Sequence, residues 1–387
     1  MRYRSILTFV LALFTTLMFT ACTTTSDPVT EPEPDAPVVL PDLTAGEWTV
    51  LEGGDGTLCA NGSDYSFYAT PGTVNKLVID FQGGGACWNG SSCSSPYGDP
   101  NPAVGLGFYF DQITADITTS VGIYQRDNAA NPVKDWYHVY LPYCTGDLHI
   151  GNTTQTYTDP SDASSYSVEH KGAVNALAAL DWTFANFSAP ESIFITGCSA
   201  GAYGAAFWTG TIATQYPDAD IYQLGDCGAG VATDAWAAEL ATNWNTVATF
   251  PEQTFDTSFV SSTYAATLAA QGDLNMAQYH TLFDGVQILY YSYGTKNMLI
   301  PSLDTGLEWS NKMVASLDAL EASSDRFVSY VSLADTNNNL ADGTQHCIIV
   351  HDDFYTLEVD GLMFRDWLDD YVNGREVASV RATLTAF

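Results

Sequence analysis

The most constraining feature of this 387-residue chain is the pentapeptide Gly197-Cys198-Ser199-Ala200-Gly201, set between an apolar run and a stretch of small residues. The preceding residues 192–196 (SIFIT) read as a short buried strand, and the Ala- and Gly-rich residues up to about Tyr216 read as a tightly packed helix. A chain that turns sharply from strand into helix needs small residues on both sides of the turn. A serine at its apex projects from the carboxyl edge of a sheet, and the next backbone N–H, that of Ala200, points into the same space.

The surrounding pattern fits such a sheet. Lys76–Phe81 (KLVIDF) and residues 136–141 (WYHVYL) read as buried strands, as do 221–224, 276–283 and 327–333. Over 168–187, apolar residues at Val174, Leu177, Leu180, Phe184 and Phe187 form a helical stripe that ends before Pro190. Residues 232–272 read as a helical and loop insertion that caps a site, and 353–372 as a terminal amphipathic helix. Strands alternating with helices imply a mainly parallel sheet covered on both faces. The strand–serine–helix turn is a nucleophile elbow, and with it the expected class is α/β, an α/β-hydrolase fold with a cap insertion.

A serine nucleophile in this fold takes its partners in the order Ser, acid, His. Of six histidines, only His280, His346 and His351 follow Ser199. His280 falls inside a strand and reads as a packed histidine. His346 lies in a loop after the strand at 327–333, where the base belongs, and His351 is the second candidate. For the acid, Asp284 closes the strand at 276–283, the expected position, whereas Asp335 and Asp342 stand nearer to His346 in sequence. The run from Asp335 to Asp342 has the look of a calcium loop but lacks its glycine and distal glutamate, and reads as a solvated turn. Gly83-Gly84-Gly85-Ala86 follows the strand ending at Phe81, and glycines there let backbone N–H groups approach a tetrahedral oxyanion. Absence of a lysine and of Walker spacing argues against phosphate binding there.

Twelve Lys+Arg against 45 Asp+Glu give a net charge of −33, which repels phosphate backbones and argues against nucleic-acid binding. Residues 1–21 carry Arg2 and Arg4 ahead of an apolar run of about 14 residues, short of the roughly 20 that span a bilayer, and read as an export signal. Its removal takes away two cations and no anion, so the mature charge is −35. Phe19-Thr20-Ala21-Cys22 resembles a bacterial lipoprotein cleavage box, which makes Cys22 a lipidation site; without lipid the chain is secreted. Residues 22–45 form a Pro-, Thr- and Glu-rich tether, and 46–387 a single catalytic domain. Apart from Cys22, the cysteines are odd in number, so at least one thiol stays unpaired; Cys87 and Cys93 bracket a short loop and read as a local disulfide. No cysteine or histidine spacing matches a zinc site.

Several motifs together resemble the pectin acetylesterase/Notum family: Gln82-Gly83-Gly84-Gly85-Ala86-Cys87-Trp88 closed by Cys93, Pro142-Tyr143-Cys144-Thr145-Gly146-Asp147, the serine pentapeptide, Gly225-Asp226-Cys227-Gly228, Leu282-Phe283-Asp284 with Gln287, and His346-Cys347. They span about residues 55–350. The resemblance implies Ser199 as nucleophile, Asp284 as acid and His346 as base, oxyanion donors from Gly84, Gly85 and Ala200, and a Cys59–Cys144 disulfide beside Cys87–Cys93. Two departures, Gly85-Ala86 with Trp88 placed after Cys87, and Ala202 in place of a second glycine, are expected to alter the acyl-pocket wall. Because the family includes enzymes that remove acetyl groups from pectin and one that removes a long unsaturated acyl chain from a secreted protein, acyl length does not carry over.

The expected activity is therefore that of a serine carboxylic-ester hydrolase, without cofactor or metal, acting on O-acetyl groups of an extracellular, pectin-like polysaccharide. The alternatives are a longer-chain acyl or polyester hydrolase, and a non-catalytic glycan-binding surface lipoprotein. Trp88, Trp136, Trp236 and Trp244 are candidate sugar-stacking residues, though most of the nine tryptophans read as core. Expected contacts are an acyl ester substrate, no nucleic acid, and a membrane only through the lipid.

Overall fold

A computed structural model describes residues 40–114, 121–333 and 344–382; the leader, Cys22, Asp335 and Asp342 lie outside these. Its strands are β1 (Thr49–Glu52), β2 (Ser66–Thr70), β3 (Lys76–Phe81), β4 (Tyr137–Leu141), β5 (Thr153–Thr158), β6 (Ser165–His170), β7 (Ser192–Cys198), β8 (Asp220–Asp226), β9 (Leu274–Thr281), β10 (Phe327–Ser332), β11 (Glu358–Val359), β12 (Leu362–Met363) and β13 (Val380–Arg381). The helices are α1 (Gly90–Cys93), α2 (Gly172–Asn186), α3 (Ala200–Gln215), α4 (Asp234–Trp244), α5 (Phe259–Ala270), α6 (Gly285–Lys296), α7 (Leu303–Ser323) and α8 (Phe364–Val372).

Nine strands form one sheet in the order β1-β2-β4-β3-β7-β8-β9-β10-β13. From β4 to β13 every pairing is parallel; β1 and β2 add an antiparallel edge. The β-branched runs explain the layering. In β7, Ile193 and Ile195 face one apolar cluster with α2, α3 and α5, while Phe194 between them faces a second cluster with Phe364, Trp367 and Tyr371 of α8. Both faces are covered, and β3 and β7 are buried almost throughout. This is the α/β-hydrolase architecture expected from the sequence.

Two sequence assignments need correction. The helix expected over 168–187 begins only at Gly172, because residues 165–170 alternate and pair with 153–158 as the hairpin β5–β6. The helix expected over 353–372 is confined to Phe364–Val372: Asp360 and Gly361 both take positive φ and turn the chain between β11 and β12. The sequence reading also left α6 and α7 unassigned. The insertion at 232–272 is helical as expected and brings Trp236, Leu240, Trp244 and Phe259 over one cavity.

Disulfides join Cys59 to Cys144, Cys87 to Cys93, and Cys198 to Cys347, leaving Cys227 as a buried free thiol. Among the described residues, no helix is long and apolar enough to cross a membrane.

Candidate active site

Ser199 sits between the end of β7 and the start of α3 with φ 56° and ψ −121°, a strained conformation for a non-glycine residue. Its N–H donates to the carbonyl of Asp226 at 2.7 Å. The crossing chains are so close that a Cβ on Gly201 would lie 1.7 Å from the Phe81 carbonyl oxygen. Only glycine fits there, which explains the small residues of the pentapeptide.

The segment after β3 passes beside this turn. Gly85 has φ 75°, and a Cβ on it would lie 1.9 Å from the Phe108 carbonyl oxygen. Phe110 N–H donates to Gly84 at 3.0 Å and Ala86 N–H to Phe108 at 3.1 Å, while the Cys87–Cys93 disulfide closes the following loop. These contacts use the carbonyl of Gly84 and leave the N–H groups of Gly84 and Gly85 outside the ladder.

Asp284 lies just beyond β9 as the N-cap of α6, fully buried. Its Oδ1 accepts the backbone N–H of Gln287 at 2.9 Å, and its Oδ2 accepts Gln287 Nε2 at 3.0 Å. Oδ2 also lies 2.8 Å from Nδ1 of His346. An ionised carboxylate can only accept, so Nδ1 carries the proton and Nε2 is the free basic nitrogen. Nε2 is buried and has no hydrogen-bond partner. Burial favours the neutral ring, but the charge and hydrogen bond of Asp284, with Asp226 adding to them, hold His346 above its usual value. Burial likewise opposes ionisation of Asp284, yet His346 and Gln287 keep it below the ordinary carboxylate range.

Three links fix the histidine loop. Thr344 N–H donates to Phe283 at 2.7 Å, Thr281 Oγ1 donates to the Gln345 carbonyl at 2.8 Å, and Cys347 is bonded to Cys198. Asp226 adds a fourth, its Oδ2 accepting the N–H groups of Ile348 and Ile349 at 2.8 and 2.9 Å.

Two spaces meet at Ser199 and His346. One, of about 60 Å³, is walled by Gly85, Ala86, Trp88, Trp236, Trp244 and Trp309 among others. The other, an open cleft of about 360 Å³, is lined by Asp80, Gly83, Gly84, Tyr97, Phe110, Tyr124 and Tyr140. Ser199, His346 and Gly85 border both, and Ala200 borders the first. The departure at Ala86 and Trp88 does shape the smaller pocket. Ala202 does not line it; it packs against Gly228 and Gly225 instead, because α3 turns its side chain toward β8.

The other histidines sit elsewhere. His351 is exposed, with Nε2 at 3.2 Å from the His346 carbonyl. His280 is buried, with Nε2 on Gln278 at 3.0 Å and Nδ1 unpartnered, and burial pushes its value down to about 4. Trp136 is buried beneath Lys76, away from either space at Ser199. The sequence reading missed Asp80, Tyr124 and the Cys198–Cys347 bond; the cysteines flanking the serine and histidine were a usable signal for the last. Cys227, Asp284 and His346 place donor atoms within 4.8 Å of one another. They make a poor metal site, because Asp284 and His346 bind each other and burial keeps the Cys227 thiol protonated.

The profile of a family described as pectinacetylesterase matches residues 44–330. The chain belongs to the pectinacetylesterase family. That family is one of carboxylic-ester hydrolases, the class expected from the sequence. Over 101 residues the chain is 30% identical to palmitoleoyl-protein carboxylesterase NOTUM of Schmidtea mediterranea, a match spanning 24% of this family member and only 18% of that relative. Two crystal forms of the Wnt deacylase Notum from Drosophila share its fold. One has a TM-score of 0.57 at 14% identity over 88% of this chain and 98% of the other. The second has a TM-score of 0.54 at 15% identity, over 84% and 93%.

Proposed function

We propose that the protein is an exported serine hydrolase that removes O-acetyl groups from an extracellular polysaccharide, with Ser199 as nucleophile, His346 as base and Asp284 as the acid that orients it. The observation that carries this reading is His346 itself: Nδ1 is fixed on a buried carboxylate, Nε2 is left without a partner, and the residue borders both spaces at Ser199. No hydrogen bond joins Ser199 Oγ to His346 Nε2 in this structure; bonds between nucleophile and base are often long in unliganded enzymes and tighten around substrate.

In the scheme, Ser199 Oγ bonds to the ester carbonyl carbon as its proton passes to His346 Nε2. The negative oxygen is held by backbone N–H groups of Ala200, Gly84 and Gly85. Collapse breaks the C–O bond, and His346 returns the proton to the departing alcohol. Water then attacks the acyl-enzyme with His346 again as base, releasing the acid and restoring Ser199. Asp284 keeps the Nδ1 tautomer and stabilises the imidazolium. The scheme calls on no cofactor.

The smaller, tryptophan-walled space takes the acyl group. At about 60 Å³ it has room for roughly four or five water-sized groups, which suits a short acyl group such as acetyl. The open cleft takes the alcohol. Three disulfides fit an oxidising compartment, and with residues 1–21 and Cys22 they support a lipid-anchored or secreted protein, to be checked by mass spectrometry of the mature N-terminus.

The test is an acyl-chain series of p-nitrophenyl esters from acetate to palmitate, with Ser199→Ala alongside. A maximum at acetate that disappears in Ser199→Ala is expected. A maximum at long chains would replace the deacetylase reading, and no turnover at any length would favour a glycan-binding protein.

A further inference from the structure

The cleft on the alcohol side has an unusual charge character. It is lined by Tyr97, Phe110, Tyr124 and Tyr140, aromatic residues of the kind that pack on sugar rings, with Asp80 buried in its floor. Asp80 Oδ2 accepts the Tyr124 hydroxyl at 2.7 Å and lies 3.1 Å from His138 Nε2. Burial lowers the His138 value, so the ring is neutral and supplies Asp80 with no counter-charge. Among the described residues that line the cleft there is no lysine or arginine.

The cations elsewhere are also committed. Beyond Arg2 and Arg4 the chain has ten Lys and Arg. Seven pair with Asp or Glu. Arg126 and Arg326 donate to backbone carbonyls, and Lys76 donates to Asn373. In sequence, segments 115–120 and 334–343 add Asp116, Asp335 and Asp342 but no cation. A sugar carboxylate entering this cleft would lose water without gaining a counter-ion, and the buried Asp80 beneath would add to the penalty.

We infer that the alcohol side of the ester is an uncharged glycosyl unit: the enzyme deacetylates neutral polysaccharide, or stretches of pectin whose carboxyls are masked, and discriminates against free uronates. This rests on the hydrolase reading above and narrows its substrate. Stacking on the tyrosine and phenylalanine rings holds the sugar without calling on charge, and the negative surface repels a polyanion before contact.

The test uses one backbone in two charge states: acetylated polygalacturonate with free carboxyls, and the same polymer fully methyl-esterified, with acetylated glucomannan as a neutral reference. Acetate release by the full mature chain is followed at low and high salt, and p-nitrophenyl acetate with Ser199→Ala is the control for hydrolase activity. At about 10 mM salt, where the Debye length is about 30 Å, the free-acid polymer should show kcat/KM about tenfold or more below its methyl ester. The gap should narrow but persist as salt screens the long-range part. Asp80→Asn should raise the ratio of free-acid to methyl-ester polymer turnover several-fold, a ratio that a general loss of activity in the variant does not move. Equal or faster turnover of the free-acid polymer at low salt overturns the inference, as does Ser199-dependent turnover of the small ester with none of any polymer. No Ser199-dependent turnover of the small ester would instead remove the hydrolase reading beneath it.

Discussion

The disulfide between Cys198 and Cys347 joins the residue before Ser199 to the residue after His346, two positions 149 residues apart in sequence. Backbone hydrogen bonds alone would have to set the distance between serine and histidine across the end of β8. The covalent link, together with Asp226, whose carbonyl holds Ser199 N–H and whose carboxylate holds the histidine loop, sets it instead.

Replacing both cysteines, Cys198→Ala with Cys347→Ala, should lower stability by roughly 2–5 kcal/mol, the usual effect of losing a disulfide. It should also lower kcat more than it raises KM, because a misplacement of about 1 Å at the reacting groups costs on the order of 100-fold. Urea unfolding and ester kinetics on the folded variant separate the two. An unchanged kcat would mean that Asp226 and Thr344 hold the loop unaided.

Asp284 serves as helix cap and as partner to His346, and the two roles can be separated. Asn caps a helix about as well as Asp, so Asp284→Asn should leave thermal stability within about 1 kcal/mol from the cap itself. Its amide can hold His346 in the wrong tautomer, so kcat should fall by roughly 10⁴. Ser199→Ala and His346→Ala should each cost roughly 10⁶, and the double variant no more than either alone, because the residues act as a unit. Additive losses in that cycle would count against the proposed triad.

How much could be read from the sequence follows physical range. The elbow, strand β3 and the glycine run were legible because a sharp turn and a buried parallel strand impose local rules on residue type. The order of elements singled out Asp284 and His346, which lie 2.8 Å apart. Residues 165–170 misled because the helical stripe at Val174 and beyond was extended backwards over a hairpin that is polar on its exposed face. The helix at 353–372 was overdrawn because its apolar periodicity outweighed the Asp360-Gly361 turn signal. Asp80 gave no local sign at all: it looks like one more strand residue in KLVIDF, and only the pairing of β3 with β4 brings His138 beside it.

The small space proposed to take the acyl group makes a further prediction. Trp236 on α4 walls the small space and packs edge-on against Trp88 with ring centroids 5.2 Å apart. Trp236→Ala should open that wall and raise the ratio of octanoate to acetate turnover about tenfold or more, since each buried CH₂ is worth about 0.8 kcal/mol. Stability should drop by about 3–5 kcal/mol, so the ratio, which is insensitive to the folded fraction, is the quantity to measure. Leu240→Ala, a smaller change in the same wall, should move the ratio in the same direction. An unchanged ratio in both would place the acyl group elsewhere.

The pH profile tests how the buried charges work together. In the proposed scheme His346 must be neutral to accept the serine proton, and because Asp284 and Asp226 hold its value up, the acid limb of kcat/KM should have its midpoint above 6.5. Asp284, held low, remains ionised through that limb, and its contribution to stability is lost only as pH falls through its own depressed value. Asp226 differs: burial pushes it from 3.8 up to about 7, so between those values the folded state binds the proton more tightly than the unfolded state. Stability from that group therefore falls as pH rises through this window. Asp226→Asn keeps an oxygen for the Ile348 and Ile349 N–H groups but has no charge. It should move the acid limb to lower pH, since a negative neighbour of His346 is gone, and its Tm relative to the native chain should improve from pH 4 to pH 8. His280 and the Cys227 thiol, both held neutral by burial, should not contribute a limb in this range. A limb that stays in place in Asp226→Asn would show that Asp284 alone sets the histidine.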